Sequence, residues 1–437
     1  MTVVATHTQA DLPPQEAGSV IAVGSIIIST FLTAIGNGLL FAYIPISLSN
    51  AGYAPGWAGM ILTALASGGV VACLSTGALT RRVGHARAFM IFSAIIILSN
   101  AAIGAGVHPV SWLAARALYG FAISGMFIVA QSWLNDAVTN AIRGRVMALF
   151  YVAYILGLGT GSFLIGQVDI SGSMAPLAGI AFASLAILPV GMTRLPQPPP
   201  PESATIAVRR AWRISPVGLV GMLAVGGMSM MVAGFTPIHV AASGYSQVQI
   251  ALLMSAMPIG SVLFQIPLGW LSDRIDRRIV MVGAATIVAA AGVTAGLFDG
   301  AALAVIVPIY LVWAGTTESI YSLANAHAND RASKDEMVAL SSTMLFAWSV
   351  SGVIVPAVAT SLTALYGTVA FIYIAVAIAV AYALFVLWRI SRRQQVPSEE
   401  TGSFAPLAAQ APLPVDLATP DDEPESGPDV GSLDAHR

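Results

Sequence analysis

The chain consists of long apolar stretches separated by short segments that carry nearly all of its charged residues. A helix that crosses a membrane needs about 20 mostly apolar residues, and a full charge near its centre is costly. The uncharged stretches therefore limit how many such helices fit. Counting them predicts twelve spans, six before and six after a proline-rich segment that starts at Pro196.

This count predicts an all-α membrane protein built from two six-helix bundles. The polar N-terminus and the acidic tail have no pattern of an apolar core, and the composition of the tail is typical of disorder. The basic stretch Arg209–Arg213 is expected either to lie on an anionic lipid surface or to be a solvated part of the linker, whose polyproline run forms a stiff spacer. The predicted parts are a polar N-terminus (1–19), a first bundle (20–193), a Pro-rich and basic linker (194–213), a second bundle (214–390) and an acidic tail (391–437).

Composition supports this assignment. Hydrophobic residues make up 57% of the chain and charged residues only 9%, with a mean hydropathy of +0.81. A soluble domain carries about 25% charged residues, because its surface faces water. The net charge of −2 and the lack of a basic patch with aromatic residues argue against a nucleic-acid partner. We expect no cofactor, and we expect no metal, because no Cys/His/carboxylate cluster has ligand spacing.

The basic residues predict how the chain is oriented. Lys and Arg concentrate in cytoplasmic loops, and 18 of the 19 basic residues fall on one side when both termini are cytoplasmic. The exception is Arg116, which lies inside the fourth predicted span. The loops on the other side carry Asp169 and Asp299 and no basic residue. We therefore expect an integral membrane protein with both termini in the cytoplasm.

The two halves contain similar segments at a constant spacing. Gly77–Arg87 corresponds to Gly269–Arg278 at an offset of 192 residues. Val146–Leu149 corresponds to Met337–Leu340 at 191, and Asn135-Asp136 to Asn329-Asp330 at 194. Three correspondences at one spacing predict an internal repeat, and hence two bundles of similar fold.

These repeated loops carry a resemblance to a known family. The pattern Gly-x-Leu-x-Asp-Arg, as it stands at Gly269–Arg274, resembles the signature loop of the major facilitator superfamily. Gln131–Asp136, Arg143–Arg145 and Tyr321–Arg331 are similar to a bacterial branch of that superfamily, which implies the bacterial inner membrane. The resemblance covers roughly residues 20 to 390. It implies two bundles that rock about a site at the membrane midplane, with helices 1, 4, 7 and 10 lining the cavity.

The resemblance also assigns residues to gating. A glycine at a helix end permits close packing, and an Asp beside arginines can hold helix ends together. The alternative is that the arginines only orient the chain. Arg81 occupies the usual Asp position of the first-half loop, which is a departure from the family pattern. The expected gating residues are Gly77, Arg82 and Gly84 in the first half and Gly269, Asp273, Arg274 and Arg277 in the second.

Glu318 is the main candidate for chemistry. It lies about 22 Å along the tenth predicted helix at the usual helical rise, too deep for a short side chain to reach the surface. A carboxyl group cut off from water is easier to keep neutral, so it can exchange a proton near neutral pH. The alternative is a structural carboxyl that is hydrogen-bonded to a neighbouring helix.

Arg116 is the second charged side chain inside a span. Arg116–Gly125 resembles a motif of proton-linked exporters, in which the Arg takes part in proton transfer. The alternative is that Arg116 extends to the nearby membrane surface. A Glu often occupies the position of Gln131 in the resembling branch, so a proton site can have moved to Glu318. Polar residues that we also expect along the pathway are Asn37, Gln131, Tyr321 and Asn325.

The function predicted from these residues is secondary transport of a small organic molecule by alternating access, coupled to protons and directed to export. The single lysine, Lys334, has no glycine-rich loop before it, so ATP-driven transport is not expected. Alternatives are a uniporter in which Glu318 binds the substrate, or a receptor that binds without transport. No nucleophile–base pair indicates an enzyme. The expected partners are the substrate, protons and the lipid bilayer, and the expected state is a monomer.

Overall fold

The computed structural model of the chain describes residues 20–138, 140–193, 206–333, 336–392 and residue 404. The polar N-terminus, the polyproline run Pro196–Pro201 and Lys334 lie outside the described residues, as does the acidic tail after Arg392 apart from Phe404.

Twelve helices among the described residues are long and apolar enough to span a membrane, as the sequence predicted. The first six are α1 (Val20–Asn50), α2 (Pro55–Val83), α3 (His85–Gly104), α4 (Pro109–Ala137), α5 (Asn140–Leu164) and α6 (Met174–Met192). A short helix, α7 (Val208–Ile214), precedes the second set. Span 7 consists of α8 (Pro216–Ser229), the π-helical segment Met230–Phe235 and α9 (Thr236–Ala242), and the rest are α10 (Gln247–Ser272), α11 (Arg277–Leu297), α12 (Leu303–Asn329), α13 (Met337–Tyr366) and α14 (Ala370–Ile390).

The helices pack in the same way within each half. In the first half α1 packs on α5 and α2 on α4; in the second half α8 packs on α13 and α10 on α12. The two halves meet along α2 with α13 and along α5 with α10. This arrangement is the internal repeat expected from the sequence, now visible as packing.

Glycines at equivalent positions allow two of these packings. A side chain at Gly68 of α2 would overlap the carbonyl oxygen of Ala117, and one at Gly120 of α4 would overlap that of Leu65. In the second half, a side chain at Gly260 of α10 would overlap the carbonyl oxygen of Leu311, and one at Gly315 of α12 would overlap that of Gly260. Small residues permit such close approach of helix backbones in a membrane. Both halves therefore use glycines for this packing, and Gly68 and Gly260 are equivalent positions 192 residues apart.

Span 7 contains a turn that the sequence analysis did not predict. The π-helical segment Met230–Phe235 ends just before Pro237, which has no N–H to donate within an α-helix. Beyond it, the buried His239 bridges two loops, with Nδ1 2.9 Å from Thr368 Oγ1 and Nε2 2.9 Å from Asp299 Oδ1. π-Helical turns are rare and often lie at functional sites.

The two ends of the helical bundle differ in charge. We call the end that carries Arg81, Arg143 and Arg277 the basic end, and the end that carries Asp169 and Asp299 the distal end. Across the distal end, the Ser49 hydroxyl of α1 donates to the Ala241 carbonyl at 3.5 Å, and the Gln247 amide donates to the Val168 carbonyl at 2.7 Å. These contacts join the distal ends of the two halves.

The described part of the linker is docked on the second half. Arg210 of α7 donates to the Glu336 carboxylate at 2.9 Å, and the Ala207 N–H donates to Thr343 Oγ1 at 2.9 Å. The hydrogen bond from Arg210 holds the pKa of Glu336 below its usual range. The basic stretch Arg209–Arg213 therefore forms most of a short helix held beside α13.

We expect substitution of Gly68 to weaken the first half. Gly68→Ala should lower the free energy of unfolding by about 1–3 kcal/mol, because the new methyl group overlaps the Ala117 carbonyl. Gly283→Ala in α11 is the matched control: its added methyl group meets no atom within 4 Å, and alanine favours a helix by up to about 1 kcal/mol. Thermal unfolding in detergent measures both, and an equal melting temperature for the two variants would contradict the close packing.

Candidate functional site

A cavity of about 150 Å³ lies between the two halves. It is lined by side chains of α1 and α5 from the first half and of span 7, α10, α12 and α13 from the second. We call it the main cavity. Its walls are mostly apolar and aromatic, and they include Met230, Met254 and Met257. The position between the halves places it where rocking would change its access.

Glu318 supplies the carboxylate of the main cavity. It lies 15 residues after Leu303, just past the middle of α12, and the Ser229 hydroxyl lies close to it. Tyr151 and Tyr154 of α5 are close enough to interact with its charge. Among the described lining residues no Lys, Arg or His is present, so Glu318 faces hydroxyl groups and apolar surface rather than a counter-ion.

Asn37 faces Glu318 from the first half. Its side chain is buried, lies close to the Tyr154 hydroxyl and has no hydrogen-bond partner for Oδ1 within the described part of the chain. A buried amide oxygen without a donor is costly, and Asn37 lines the main cavity, so the oxygen is available to a ligand. Two polar groups from different halves thus meet in one cavity.

A second cavity adjoins the first. It is lined by Gly120, Ile123, Ser124 and Ile128 of α4 and by residues of α2 and α13. The residues that line both cavities are Asn37, Phe41, Met230 and Trp348. The expectation that helices 1, 4, 7 and 10 line the main cavity therefore holds for α1, span 7 and α12, whereas α4 lines the neighbouring cavity.

Arg116 lines a third, smaller cavity near the distal end. It is only 3% exposed, so the side chain does not extend to the surface. Its guanidinium carbon lies 4.5 Å from the ring centre of Tyr119 and 5.8 Å from that of Phe41. Residues from both halves surround it, including Leu62 of α2, Gly234 of the π-helical segment and Ile238 of α9. We call this the Arg116 cavity.

The other three residues expected along the pathway are buried elsewhere. Gln131, Tyr321 and Asn325 do not line any of the three cavities. The Asn325 amide donates to the Tyr321 carbonyl at 3.0 Å, and the Tyr321 ring packs edge-on against Trp348. In the conformation described these side chains pack between helices.

The second-half signature loop forms a network of ion pairs at the basic end. Arg277, which is 3% exposed, lies 2.6 Å from Asp330 Oδ2 at the end of α12 and 3.2 Å from Asp273 Oδ1 at the end of α10. Arg274 stacks on Trp270 instead, with 3.4 Å between its guanidinium carbon and the ring centre. The loop thus ties together α10, α11 and α12 within one half.

Two further contacts complete this loop. Asp276 caps α11 and pairs with Arg278 at 2.7 Å; burial raises the pKa of Asp276, but the hydrogen bonds and charge of Arg278 outweigh it and hold the pKa below its usual range. The backbone N–H of Phe404 donates to Asp273 at 3.0 Å, and its ring lies against Gly269.

The first-half loop is built differently. Arg81 and Arg82 are exposed, and Gly77 has no close neighbour apart from the Arg81 side chain. Gly84 joins α2 to α3 with a φ of 82°, a conformation that favours glycine. Gly84 is thus needed for the turn, and the acidic partner that Asp273 provides in the second half is replaced by a cation.

Several cavity residues were missed by the sequence analysis. They are Phe41, Tyr151, Tyr154, Ser229 and Trp348, all ordinary residues of an apolar helix. Nothing in the sequence around Phe41, Ser229 or Trp348 separates these three from lipid-facing positions. The available signal was the pair Tyr151 and Tyr154, which lies on one face of α5 at a spacing of three. Among the described residues, no cluster of three or more His, Cys, Asp or Glu side chains could hold a metal ion.

Comparison with known proteins agrees with this architecture. The Major Facilitator Superfamily family model matches residues 26–217 and again 217–418. The chain is 24% identical over 367 residues to YcaD of Salmonella dublin and of Salmonella enteritidis, each described as an uncharacterized MFS-type transporter, covering 83% of this chain and 94% of the relative.

Solved structures resemble the fold. The crystal structure of the nucleoside transporter NupG has a TM-score of 0.67 at 11% identity and covers 85% of this chain and all of NupG, and an aspartate-to-alanine variant of NupG gives 0.69 at 13% identity over 84% of this chain. At that identity the likeness shows the fold alone. The family match, made once for each half, shows that the chain is an integral membrane protein that belongs to the major facilitator superfamily.

Proposed function

We propose that this protein transports a small organic molecule by alternating access, coupled to protons through Glu318. The observation that carries the proposal is the position of Glu318, the one carboxylate among the described lining residues of the cavity between the halves. A carboxyl group without a counter-ion in a largely apolar cavity has a strong tendency to bind a proton. Opening the cavity to either side in turn would expose that proton site to each compartment.

The walls of the main cavity support an organic substrate. Aromatic rings and methionines offer adaptable apolar surface, while Asn37, Tyr151 and Tyr154 provide polar groups that fix orientation. The resemblance of the Arg116 segment to that of proton-linked exporters supports export as the direction of transport. The printed name of NupG makes nucleosides a first class of substrate to test.

The charges of the loops and the contacts at the distal end support a conformation that is closed to the outer side. If the basic end is cytoplasmic, as its arginines indicate, then the contacts at the distal end close the outer side. The same orientation places both termini in the cytoplasm.

The proton role of Glu318 is tested by transport in liposomes. A thermal-shift screen of nucleosides, metabolites and drugs at two pH values first identifies a ligand. For that ligand, Glu318→Gln should reduce transport driven by a pH gradient to the level found without a gradient, because the amide cannot exchange a proton. Asp169→Asn, which changes an exposed loop carboxylate, should transport as the wild type does.

The remaining outcomes separate the alternatives. Equal flux with and without a pH gradient would favour a uniporter, and binding without any flux would favour a receptor. Full pH-driven transport by Glu318→Gln would exclude Glu318 as the proton site.

Alternating access predicts that a lock on the distal end stops transport. A Cβ built on Gly59 of α2 lies 3.1 Å from the Cβ of Thr360 of α13, close to the 3.5–4.5 Å of a disulfide. With the natural thiol removed by Cys73→Ser, oxidation of Gly59→Cys/Thr360→Cys should cross-link the halves and abolish flux, and reduction should restore it. A protease site in the linker reveals the cross-link on a gel, with each single cysteine as the control. Undiminished flux through the cross-linked protein would contradict the mechanism.

The ion pairs of Arg277 support a latch at the basic end. Removing one partner of a buried pair leaves a buried charge, so Asp330→Asn should lower the free energy of unfolding by roughly 3 kcal/mol or more. Asp273 is 37% exposed, and Asp273→Asn should cost no more than about 1 kcal/mol. Melting temperatures in detergent compare the two variants. An equal decrease in melting temperature in both variants would show that the burial of the carboxylate does not set how much its ion pair with Arg277 stabilises the protein.

A further inference from the structure

Arg116 is a buried cation that has no carboxylate partner among the residues the structure describes. The neighbours that the structure gives for its guanidinium are the rings of Tyr119 and Phe41, and Nη1 has no hydrogen-bond partner within the described part of the chain. The other buried arginines differ in this respect. Arg277 and Arg278 each pair with an aspartate, and Arg143 donates to the Asn135 and Val138 carbonyls at the end of α4.

A buried guanidinium without a counter-charge costs free energy unless another group satisfies its charge and its donors. A charge removed from water needs a counter-charge or several hydrogen bonds, and cation–π contacts with two rings replace only part of its hydration. The neutral neighbours leave the guanidinium with a donor that points at no acceptor. The chemistry that fits this donor is an anion, above all a carboxylate, which matches a guanidinium in shape and charge.

The Arg116 cavity shares a lining residue with the main cavity and lies between the first half and the distal part of span 7. With the distal end closed its volume is about 20 Å³, about the room of one water molecule, so a carboxylate would enter once the distal end opens. Phe41 lines the Arg116 cavity, the main cavity and the second cavity. A molecule with its charged end at Arg116 would therefore have its apolar part beside Phe41, next to Met230 and Trp348.

We propose that Arg116 binds the carboxylate of an amphipathic organic anion, and that such anions are the substrate class of this protein. The proposal rests on the proposed transport function and adds to it the charge of the substrate. It makes Arg116 a substrate-binding residue. It also accounts for the burial of Arg116 between the two halves, because a site there is covered when the distal end is closed.

The test compares acids with their neutral amides. Purified protein in detergent is titrated with acetate, phenylacetate, indole-3-acetate and decanoate, and with the amide of each, at constant ionic strength. Thermal shift gives an apparent affinity for each probe. At least one acid with an apolar body should bind about tenfold or more tightly than its amide, because a charge-assisted hydrogen bond contributes that much.

Variants then assign the preference to Arg116. Arg116→Gln should reduce the affinity for the acid to that for the amide, and Arg116→Lys should retain part of the preference. Arg145→Gln, which removes an exposed arginine, should bind as the wild type does. Without any probe, Arg116→Gln should melt no lower than the wild type, because it removes an uncompensated buried charge. If Arg116 instead formed a structural ion pair, Arg116→Gln would lower the melting temperature.

The outcomes that overturn the proposal are distinct from those that overturn proton coupling. No preference for any acid over its amide, or a preference that persists in Arg116→Gln, would exclude the anion site. Acetate binding as tightly as the larger acids would show a site for small free anions rather than for a substrate. Loss of pH-driven transport in Glu318→Gln bears on the proton site alone, since binding of the probes is measured without a gradient.

Discussion

In the hydrocarbon of a membrane, every polar group of the chain must find its partner within the protein. This requirement makes the spans helical, since a helix satisfies its own backbone. It also keeps most charged residues out of the spans, so Glu318 and Arg116 are exceptions that call for an explanation. Within the described part of the chain neither has a side chain of opposite charge beside it, so each is a candidate to bind a partner from outside the protein. We propose a proton as that partner for Glu318 and an anion for Arg116.

Much of the fold was predictable from the sequence because the membrane imposes a length and a composition. The spacing of charges gave the twelve spans, and the offset near 192 residues gave the repeat. The prediction missed the π-helical segment Met230–Phe235, since a widened turn changes neither hydropathy nor length. It expected the basic stretch Arg209–Arg213 on a lipid surface or in solvent, whereas Arg210 pairs with Glu336, a residue 126 positions later that the local sequence does not reveal as its partner.

The candidate site was predictable only in part. Glu318, Asn37 and Arg116 were identified because polar residues inside spans are rare, and each lines a cavity. Gln131, Tyr321 and Asn325 were chosen by the same criterion and pack away from the cavities, because polarity does not reveal which face of a helix a residue occupies. The aromatic walls were missed for the converse reason: in an apolar helix, Phe41 and Trp348 resemble any residue that faces lipid.

The two halves have the same helix packing but different charged side chains. Gly68 with Gly120 and Gly260 with Gly315 place the helices alike, whereas the carboxylate lies in the second half and the buried guanidinium in the first. The signature loops differ in the same sense, with Asp273 in one and Arg81 in the other. Duplication thus supplied two equal scaffolds, and substitution of single side chains made them unequal.

The widened turn in span 7 has one more consequence. A π-helical turn corresponds to one extra residue inserted in an α-helix, and each residue of an α-helix advances by about 100°. The residues of α9 therefore face directions that the periodicity of α8 would not give them. This offset brings His239 to Asp299 and Thr368 while Met230 stays on the wall of the main cavity. One inserted residue thus lets span 7 present two differently oriented surfaces. One faces the main cavity, and the other makes the contacts of His239 at the distal end.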